Sequence, residues 1–549
     1  MSRHRTHPTL PHPLLSLLTD KPMKTIRGAA LASLLALSTS CKDFLDVNTN
    51  PNAPQSVSAN LYLAPMLHWM VTSPQFDGRF VARYTQQWTA VSTSVTTWDR
   101  MGYDPSSDNG AQQWRDVYWT LGQNLVDMMS KAEAEERWDL LGVGYLLKAW
   151  GWLVLTDLHG EIIVKEAINQ STFSFSYDTQ EYAYTEVLRL LDEAIELLQK
   201  TDGAVDMGYL ARGDKIYNGD RTRWLKFAYG MKALTLNHYS NKSSYKPLDV
   251  IAAVNQSFTS NLDDALLTYP NTSNDDINFW GRTRGNTTAT ASTTNGPYRQ
   301  TLFVLGLMNG TQFGGVVDPR MIRMLSPSPD GQYRGLDPNV VGFGALTTAQ
   351  QPNNLHGFAG TGGTGVPGRY IFDDKAKIPV ITYAQLQFIK AEAALRMGDQ
   401  ATALAAYRNG ITSHIDFVNA RNLDNNQSPS QITAAEKATF LAAPQIVPAT
   451  LTLSHIMSQK YIAQWGWGHN ELWMDMRRYH YTDLDAVSGT QVFRGFVPPT
   501  TLHADNSGKI VQRIRPRFNS EYVWNRPGLD AIGGLALDYH TKPLWITQP

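Results

Sequence analysis

The stretch that decides the fold comprises residues 382–415 and reads TYAQLQFIKAEAALRMGDQATALAAYRNGITSHI. Apolar residues recur in it at the spacing of one helical face, with Ala384, Phe388, Ala391 and Leu395 first and Ala401, Leu404, Ala405 and Ile411 afterwards. Glycine and aspartate at 398–399 separate the two groups and are typical of a helix end followed by a helix start. The stretch therefore predicts two short helices that fold back on each other, with alanines where they cross.

Two helices around a turn in about 34 residues match a tetratricopeptide repeat. One such pair leaves an apolar face uncovered, so several pairs must stack to bury a continuous core. Further helical patterns occur at 111–128, 140–155, 187–198 and 223–238, the third preceded by Asp178 and Glu181 at the spacing of a capping box. We predict a mainly α fold in which three or four degenerate helix pairs form a scaffold, over about 111–270 and 380–480.

The segment between the two helical regions, residues 271–375, is of a different kind. It is rich in glycine, asparagine and threonine and shows little periodicity, which predicts long loops with few strands. Long loops inside a compact domain are usually functional or disordered, and the aromatic residues scattered through this one favour order. We place residues 61–549 in a single domain that closes with a C-terminal segment at 481–549.

The single cysteine, Cys41, follows a basic start and a short apolar run. Residues 23–27 read MKTIR, residues 28–37 read GAALASLLAL, and three small residues precede the cysteine. These are the parts of a secretory signal peptide. A cysteine at the cleavage point is typical of a bacterial lipoprotein. We therefore predict a signal peptide at 23–40, cleavage before Cys41 and attachment of lipid to its thiol.

The residues before Met23 fit no export signal, because they carry three histidines, four prolines and one acidic residue. We predict that translation starts at Met23 and that residues 1–22 are a mis-assigned N-terminal extension. Residues 41–60 are polar and rich in turn formers, which predicts a tether between the lipid and the domain.

Charge and cysteine content limit the class of function. The whole chain has 48 basic and 49 acidic residues; residues 1–40 contain five basic and one acidic, which leaves 43 and 48 and a formal charge near −5. A nucleic-acid-binding protein is expected to show a strongly basic face instead. With one cysteine no internal disulfide can form, so the fold must be held by its core.

No sequence motif predicts a cofactor, a metal or a catalytic group. Residues 360–365 (GTGGTG) satisfy G-x-G-x-x-G, but no strand precedes and no helix follows them. His238, His455 and His469 do not lie at metal-ligand spacing and are expected to be core or surface residues. The adjacent aspartates at 263–264, 275–276 and 373–374 are expected to lie in solvated turns.

The aromatic content suggests how a ligand is held. The chain has 15 tryptophans and 24 tyrosines, several of them in polar, glycine-rich segments where a ring can offer its flat apolar face to a sugar. Arginines at 282 and 284 between two of these rings can bond hydroxyls or a carboxylate. The predicted ligand contacts are Trp98, Tyr103, Trp280, Arg282, Arg284, Tyr298 and Tyr333. The alternative for each ring is burial beneath its own loop.

Four segments carry a family resemblance. Residues 46–52 (DVNTNPN) follow Cys41, 391–399 (AEAALRMGD) lie in the repeat, 471–478 (ELWMDMRR) have the form E-x-W-x-D-x-R-R, and 515–525 (RPRFNSEYVWN) come near the C-terminus. In this order the segments resemble those of the SusD/RagB nutrient-binding lipoproteins of the Bacteroidetes outer membrane. Phe518 and Asn519 depart from the Tyr-Pro of the family's closing motif.

The resemblance implies a SusD-like helical scaffold with a loop-rich face that binds a nutrient, a glycan or a peptide, without catalysis. It also implies an outer-membrane lipoprotein facing the exterior, which covers a SusC-like TonB-dependent transporter and hands the ligand to it. A surface glycoside hydrolase, which needs two convergent carboxyl groups, and an adhesin are the alternatives.

The helix that carries E-x-W-x-D-x-R-R is expected to be structural. Trp473 and Arg477 stand at i and i+4 and so share one helix face. We expect Trp473 in the core, and Arg477 and Arg478 in ion pairs or caps, with Glu521 as a candidate partner.

Overall fold

The structure, a computed structural model, describes residues 57–104, 108–169, 171–273, 276–284, 296–358, 368–425 and 430–549. The predicted signal peptide, Cys41, nearly all of the predicted tether and the glycine-rich motif at 360–365 lie outside these ranges. Within them, no helix combines the length and apolar character needed to cross a membrane.

Helices of all types make up about half of the described chain. The α-helices are α1 Leu63–Tyr84, α2 Gln112–Arg115, α3 Gly122–Ala134, α4 Trp138–His159, α5 Gln180–Gln199, α6 Met207–Ala211, α7 Arg221–His238, α8 Pro247–Gln256, α9 Leu302–Met308, α10 Met321–Met324, α11 Tyr383–Arg396, α12 Gln400–Arg421, α13 Ala434–Ala442, α14 Leu453–Gln464, α15 His469–Arg478 and α16 Arg526–Ala531. Two further segments, Asp116–Leu121 and Phe518–Trp524, have the wider turn of a π-helix.

The predicted helical scaffold is confirmed. Helix α4 packs on α5, α7 on α8 and α11 on α12, and the pairs are joined because α5 also contacts α7 and α8 contacts α11. Helix α14, followed directly by α15, packs on α11 and adds a fourth layer. This arrangement buries a continuous core between successive pairs, as a repeat scaffold must.

The helix pair at 382–415 differs from its prediction in the length of α12 and in which face of α12 is buried. Helix α12 runs for 22 residues, and Asp399 caps its start by accepting a hydrogen bond from the Thr402 N–H. The buried face of its first half carries Ala403, Ala406, Tyr407 and Gly410, whereas the predicted Ala401 and Ala405 are exposed. A Cβ at Gly410 would lie 2.8 Å from the Phe388 ring, so glycine permits the close crossing.

The start of α5 also differs from its prediction. Its cap is Thr179, which accepts a hydrogen bond from the Tyr182 N–H, so the predicted capping box is one residue too early. Asp178 instead accepts hydrogen bonds from the backbone N–H groups of Val164 and Lys165, at 3.0 and 2.9 Å. This carboxylate therefore holds the segment that precedes α5 against its start.

Four short strands form two antiparallel pairs. β1 (Trp88–Ala90) pairs with β3 (Tyr298–Gln300), with Trp88 opposite Gln300. β2 (Ala265–Leu267) pairs with β4 (Ile378–Ile381), with Ala265 opposite Ile381. Each pair joins segments more than 100 residues apart, and the loop-rich part between them has few strands in its described residues, as predicted.

The helix with the E-x-W-x-D-x-R-R pattern is structural, as expected. Trp473 is fully buried and donates from Nε1 to the Tyr481 hydroxyl at 2.6 Å. Arg478 pairs with Glu392 at 2.7 Å and with Asp475 at 2.6 Å. The expected partner Glu521 is wrong, because its carboxylate accepts hydrogen bonds from Tyr177 and Asn525.

Arg477 also has a structural role, although it forms no ion pair within the described ranges. Its guanidinium donates to the backbone carbonyls of Asp157 and Gln512 at 2.7 and 2.9 Å. It thereby ties α15 to the end of α4 and to the C-terminal segment.

The expectation of solvated aspartate turns is wrong at 263–264 and 373–374, where all four residues are buried. Asp264 accepts a hydrogen bond from the Tyr383 N–H at 2.7 Å, and burial raises the pKa of its carboxyl to about 8. Asp373 and Asp374 accept hydrogen bonds from the N–H groups of Gly368 and Thr283. These carboxylates satisfy loop backbone that would otherwise be buried without partners.

Candidate ligand-binding site

Two of the predicted ligand contacts, Trp98 and Tyr103, lie in the loop after β1 but are buried. Trp98 is 6% exposed and its ring packs 4.8 Å from Phe80 and 5.1 Å from Tyr103. The Tyr103 hydroxyl donates to the Asn109 carbonyl at 2.9 Å, and burial raises its pKa well above the usual value. Helix α1 supplies part of the apolar surface that the sequence around Trp98 lacks.

Trp280 and Tyr298 are buried as well. Trp280 is fully buried, lies 4.7 Å from Trp88 and donates from Nε1 to the Gln75 side-chain oxygen at 2.7 Å. Tyr298 is 8% exposed on β3, with its ring 6.2 Å from that of Trp280. These rings form the core of the loop-rich part. In this conformation they offer no free face to a ligand.

The other three predicted contacts keep partly exposed side chains. Tyr333 is half-buried and packs on the edge of the core. Arg282 lies 3.9 Å from Asp373, and Arg284 donates to the Ile277 carbonyl at 3.0 Å. None of the seven predicted residues lines the polar cleft described next, and ligand contact by them stays a prediction.

The loop-rich face does hold a polar cleft, of about 340 Å³, lined by Val95, Arg100, Asn339, Pro499 and Thr501. It brings together the loop after β1, the turn at 337–339 and the chain before Leu502. Its volume falls in the usual range of ligand pockets, about 300–1,000 Å³. We refer to these five residues as the polar cleft.

The polar cleft presents groups that can bond hydroxyls. Arg100 donates from Nη2 to the Leu502 carbonyl at 2.9 Å, which fixes the guanidinium and leaves Nη1 unengaged within the described ranges. Asn339 donates from Nδ2 to Asp337 at 2.9 Å, while its Oδ1 is buried and accepts no hydrogen bond there. A buried acceptor without a partner is costly, and this oxygen belongs to a side chain that lines the cleft.

A buried ion pair shapes one wall of the polar cleft. Asp99 precedes Arg100 and accepts a hydrogen bond from Arg83 Nε at 2.9 Å, and both side chains are nearly inaccessible. Thr96 donates to the same carboxylate at 2.8 Å. The loop is therefore rigid at the point where Arg100 leaves it. Asp99 is engaged as an ion-pair partner and not placed as a free acid.

One buried group of side chains has the composition of a metal site. Ligand atoms of Asp157, His238 and Glu471 lie within 4.8 Å of one another. His238 Nε2 lies 3.1 Å from Glu471, and the Tyr184 hydroxyl bonds to the other ring nitrogen at 3.0 Å. Burial alone would lower the pKa of His238, but the two carboxylates outweigh it and raise that pKa. The hydrogen bonds of His238 to Glu471 and Tyr184, and of Tyr184 to Asp157, satisfy the group with protein partners and join α4, α7 and α15.

The sequence did not reveal the residues of the polar cleft. Arg100, Asn339 and Thr501 come from segments as far apart as 401 residues in the chain. The available signals were local: Asp337, Pro338 and Asn339 form a turn-forming triplet, and two prolines precede Thr500. Such signals mark turns and do not identify which turns meet.

Comparison with known proteins places the chain in a family. Residues 51–501 match the SusD-like family model described as "Starch-binding associating with outer membrane". This range covers most of the sequence, and the chain belongs to the SusD-like family. No curated protein matches the chain.

Solved structures show the same fold. A SusD/RagB family protein from Bacteroides thetaiotaomicron is 22% identical with a TM-score of 0.66, covering 90% of this chain and 99% of its own. A SusD homolog from Bacteroides fragilis is 20% identical with a TM-score of 0.67, covering 90% and 100%. A chitin-binding SusD homolog from Flavobacterium johnsoniae is 18% identical with a TM-score of 0.65, covering 89% and 98%. The resemblance drawn from the four segments is thereby confirmed.

Proposed function

We propose that this protein captures oligosaccharides at the outer membrane surface and delivers them to a SusC-like TonB-dependent transporter. The observation that carries the proposal is the family match over residues 51–501, whose description is starch-binding in association with the outer membrane. In this proposal the protein is anchored through lipid on Cys41, faces the cell exterior and binds its ligand without cleaving it.

The polar cleft is the proposed capture site. It lies on the loop-rich face and combines a fixed guanidinium, an exposed threonine hydroxyl and the unengaged Asn339 oxygen. These groups match a sugar, which presents several hydroxyls that each donate and accept. Two hydrogen bonds to such groups suit weak capture followed by release to a transporter, because each adds only about 0.5–3 kcal/mol.

A glycan is favoured over a peptide by the chemistry of this cleft. Peptide capture usually relies on an exposed strand edge or an apolar pocket for side chains. The polar cleft offers side-chain donors and acceptors with only Val95 and Pro499 as apolar lining. Binding titrations with maltohexaose, chitohexaose and a hexapeptide mixture would separate the two classes.

Arg100→Ala tests the assignment of the cleft. We expect the affinity for the bound glycan to fall by about tenfold or more, as for loss of a hydrogen bond to a charged group. Arg189→Ala, at an exposed ion pair on α5, is the matched control and should bind like the wild type. Unchanged affinity in Arg100→Ala would contradict the cleft, and absence of binding to every glycan would contradict the function.

Two further measurements address the other parts of the proposal. Incubation with polysaccharide should yield bound protein and no new reducing ends, whereas reducing ends would favour the glycoside hydrolase. Extraction in mild detergent at native expression should recover a TonB-dependent transporter with the protein. Recovery of the protein alone in several detergents would contradict the partnership.

A further inference from the structure

A second cavity, of about 290 Å³, lies between the two π-helical segments. Asp116–Leu121 contributes Tyr118 and Trp119 to its lining, and Phe518–Trp524 contributes Ser520 and Glu521. We call it the π-turn cavity. It shares no lining residue with the polar cleft. Because π-turns are rare and occur frequently at functional sites, two of them on one cavity point to a role beyond packing.

One of the most exposed rings of the described chain lines this cavity. Among the tryptophans and phenylalanines in the described ranges, only Trp119, Phe173 and Trp524 are more than half exposed, at 68, 87 and 73%. Trp119 lines the cavity, Phe173 stands two residues before the lining residue Phe175, and Trp524 ends the second π-turn. A ring of this size is normally buried, so the exposed Trp119 on a cavity wall indicates a binding surface.

Polar groups with remaining hydrogen-bonding capacity also line the cavity. The Arg115 guanidinium lies 4.9 Å from the centre of the Trp119 ring and forms no hydrogen bond or ion pair in the described part of the chain. Ser520 Oγ is buried without a partner there. Glu521 accepts two hydrogen bonds, from Tyr177 at 2.7 Å and Asn525 at 2.9 Å, both on Oε2. The cavity therefore offers a ligand a donor, a hydroxyl and the second carboxylate oxygen.

One residue that lines the π-turn cavity has a strained backbone. Ile168 lines the cavity with a φ of 63°, in the left-handed region that a β-branched side chain rarely occupies. Such a conformation costs about 1–3 kcal/mol and persists where the surroundings enforce it, most often at binding or catalytic sites.

We propose that the π-turn cavity is a second carbohydrate-binding site, which takes one or two pyranose units of a glycan chain. A pyranose has an apolar C–H face, which stacks on a ring such as Trp119, and a rim of hydroxyls, which the arginine, serine and glutamate can bond. The volume suits a unit of this size and not a folded partner segment. This inference rests on the proposed function, since it assumes that the protein binds glycans.

Titration of the full chain in detergent tests the proposal, with maltohexaose and chitohexaose as probes. We expect Trp119→Ala, and separately Arg115→Ala, to remove one class of sites or weaken it by about tenfold, as loss of a binding hot spot does. Both side chains make few contacts with the core, so the melting temperature should stay at the wild-type value. Leu248→Ala, which removes an apolar side chain that is 63% exposed elsewhere, is the matched control and should bind normally.

The outcomes separate this inference from the proposed function. If Arg100→Ala weakens binding while Trp119→Ala and Arg115→Ala titrate like the wild type, the second site is wrong and the function stands. If neither probe binds the wild type, both are overturned. If Trp119→Ala keeps its glycan affinity but no longer co-purifies with a transporter, the cavity is a protein contact and the inference is overturned. Protection of Trp119 from chemical oxidation by bound glycan would support it independently.

Discussion

Replacing Glu392 by glutamine should destabilise the protein through its buried ionic cluster. Arg478 Nη1 lies 2.7 Å from Glu392 Oε1 and Nη2 lies 3.0 Å from Oε2, with both side chains fully buried. Burial alone would raise the pKa of Glu392, but Arg478, with help from Lys460 and Arg396, holds that pKa well below its usual range. Glutamine keeps the shape and removes the charge, which leaves the guanidinium with Asp475 as its remaining charged contact.

The expected size of the effect follows from the cluster and the length of the folded unit. Removing one partner of a buried ion pair costs about 3–5 kcal/mol. The unit Ser58–Pro549 has 549 − 57 = 492 residues. At about 2.1 cal/mol/K per residue its unfolding entropy is about 1.0 kcal/mol/K, so the melting temperature should fall by about 3–5 °C. Differential scanning calorimetry at pH 7 measures this shift.

Acidification should reduce the difference between the two proteins. The pKa of Glu392 is depressed in the folded state, so its stabilising effect is fully present above the unfolded pKa of about 4.3 and is lost as pH falls below it. Glu186→Gln, at a partly exposed ion pair with Arg189, is the matched control and should cost less than about 0.5 kcal/mol. The prediction is refuted if the melting temperature of Glu392→Gln lies within 1 °C of that of the wild type at pH 7. It is also refuted if the difference between the two melting temperatures is unchanged below about pH 4.

Three further substitutions test the fold and the anchor. Trp280→Ala removes a fully buried ring that is hydrogen-bonded to Gln75, and it should lower the free energy of unfolding by about 3–5 kcal/mol. A wild-type melting temperature together with lost glycan binding would instead support the predicted ligand role of Trp280. Gly78→Ala places a Cβ 2.2 Å from the His469 ring and should lower the free energy of unfolding, measured by calorimetry, by about 1–3 kcal/mol. An unchanged stability would show that α1 and α15 can move apart at no cost. Cys41→Ala should move the protein from the membrane fraction to the soluble fraction on cell fractionation. If the variant stays in the membrane fraction with an unmodified N-terminus, lipid anchoring through Cys41 is contradicted.

The helical part was predictable because its signal is local. The spacing of the apolar residues and the Gly398-Asp399 turn predict a helix pair. In the structure this turn follows the end of α11, and Asp399 caps the start of α12. The phase of α12 was not predictable, because alanines occur on several of its faces and only contact with Phe388 selects one. The π-turn at Asp116–Leu121 was missed for a related reason, since its buried residues still fit a regular helical face.

Burial of polar groups depended on partners far along the chain. Asp264 was expected in solvent but bonds to Tyr383, 119 residues later. Arg478 was expected in an ion pair or cap with Glu521 as a candidate partner, but it pairs with Glu392, 86 residues away, which no local pattern singles out. The family resemblance marked α11 and α15 as characteristic helices. Only the structure shows that Glu392 of α11 and Arg478 of α15 form an ion pair.

Four of the seven predicted ligand contacts lie in the core because the loops that carry them are ordered. A long loop stays ordered only if its backbone polar groups find partners, and buried arginines supply them here. Arg299 donates to the carbonyls of Gly296 and Pro352 at 2.6 and 2.7 Å, and Arg369 to that of Leu325 at 2.8 Å. Rings such as Trp280 fill the space between these anchors.

A ring or guanidinium that holds a loop in place is not free to hold a ligand as well. The abundance of aromatic residues in the loops therefore predicted order, and the binding groups have to be sought where side chains are left unengaged. Two such places in the described structure are the polar cleft, with the Asn339 oxygen, and the π-turn cavity, with the exposed Trp119 ring. A glycan chain is a ligand whose alternating apolar faces and hydroxyls match both places.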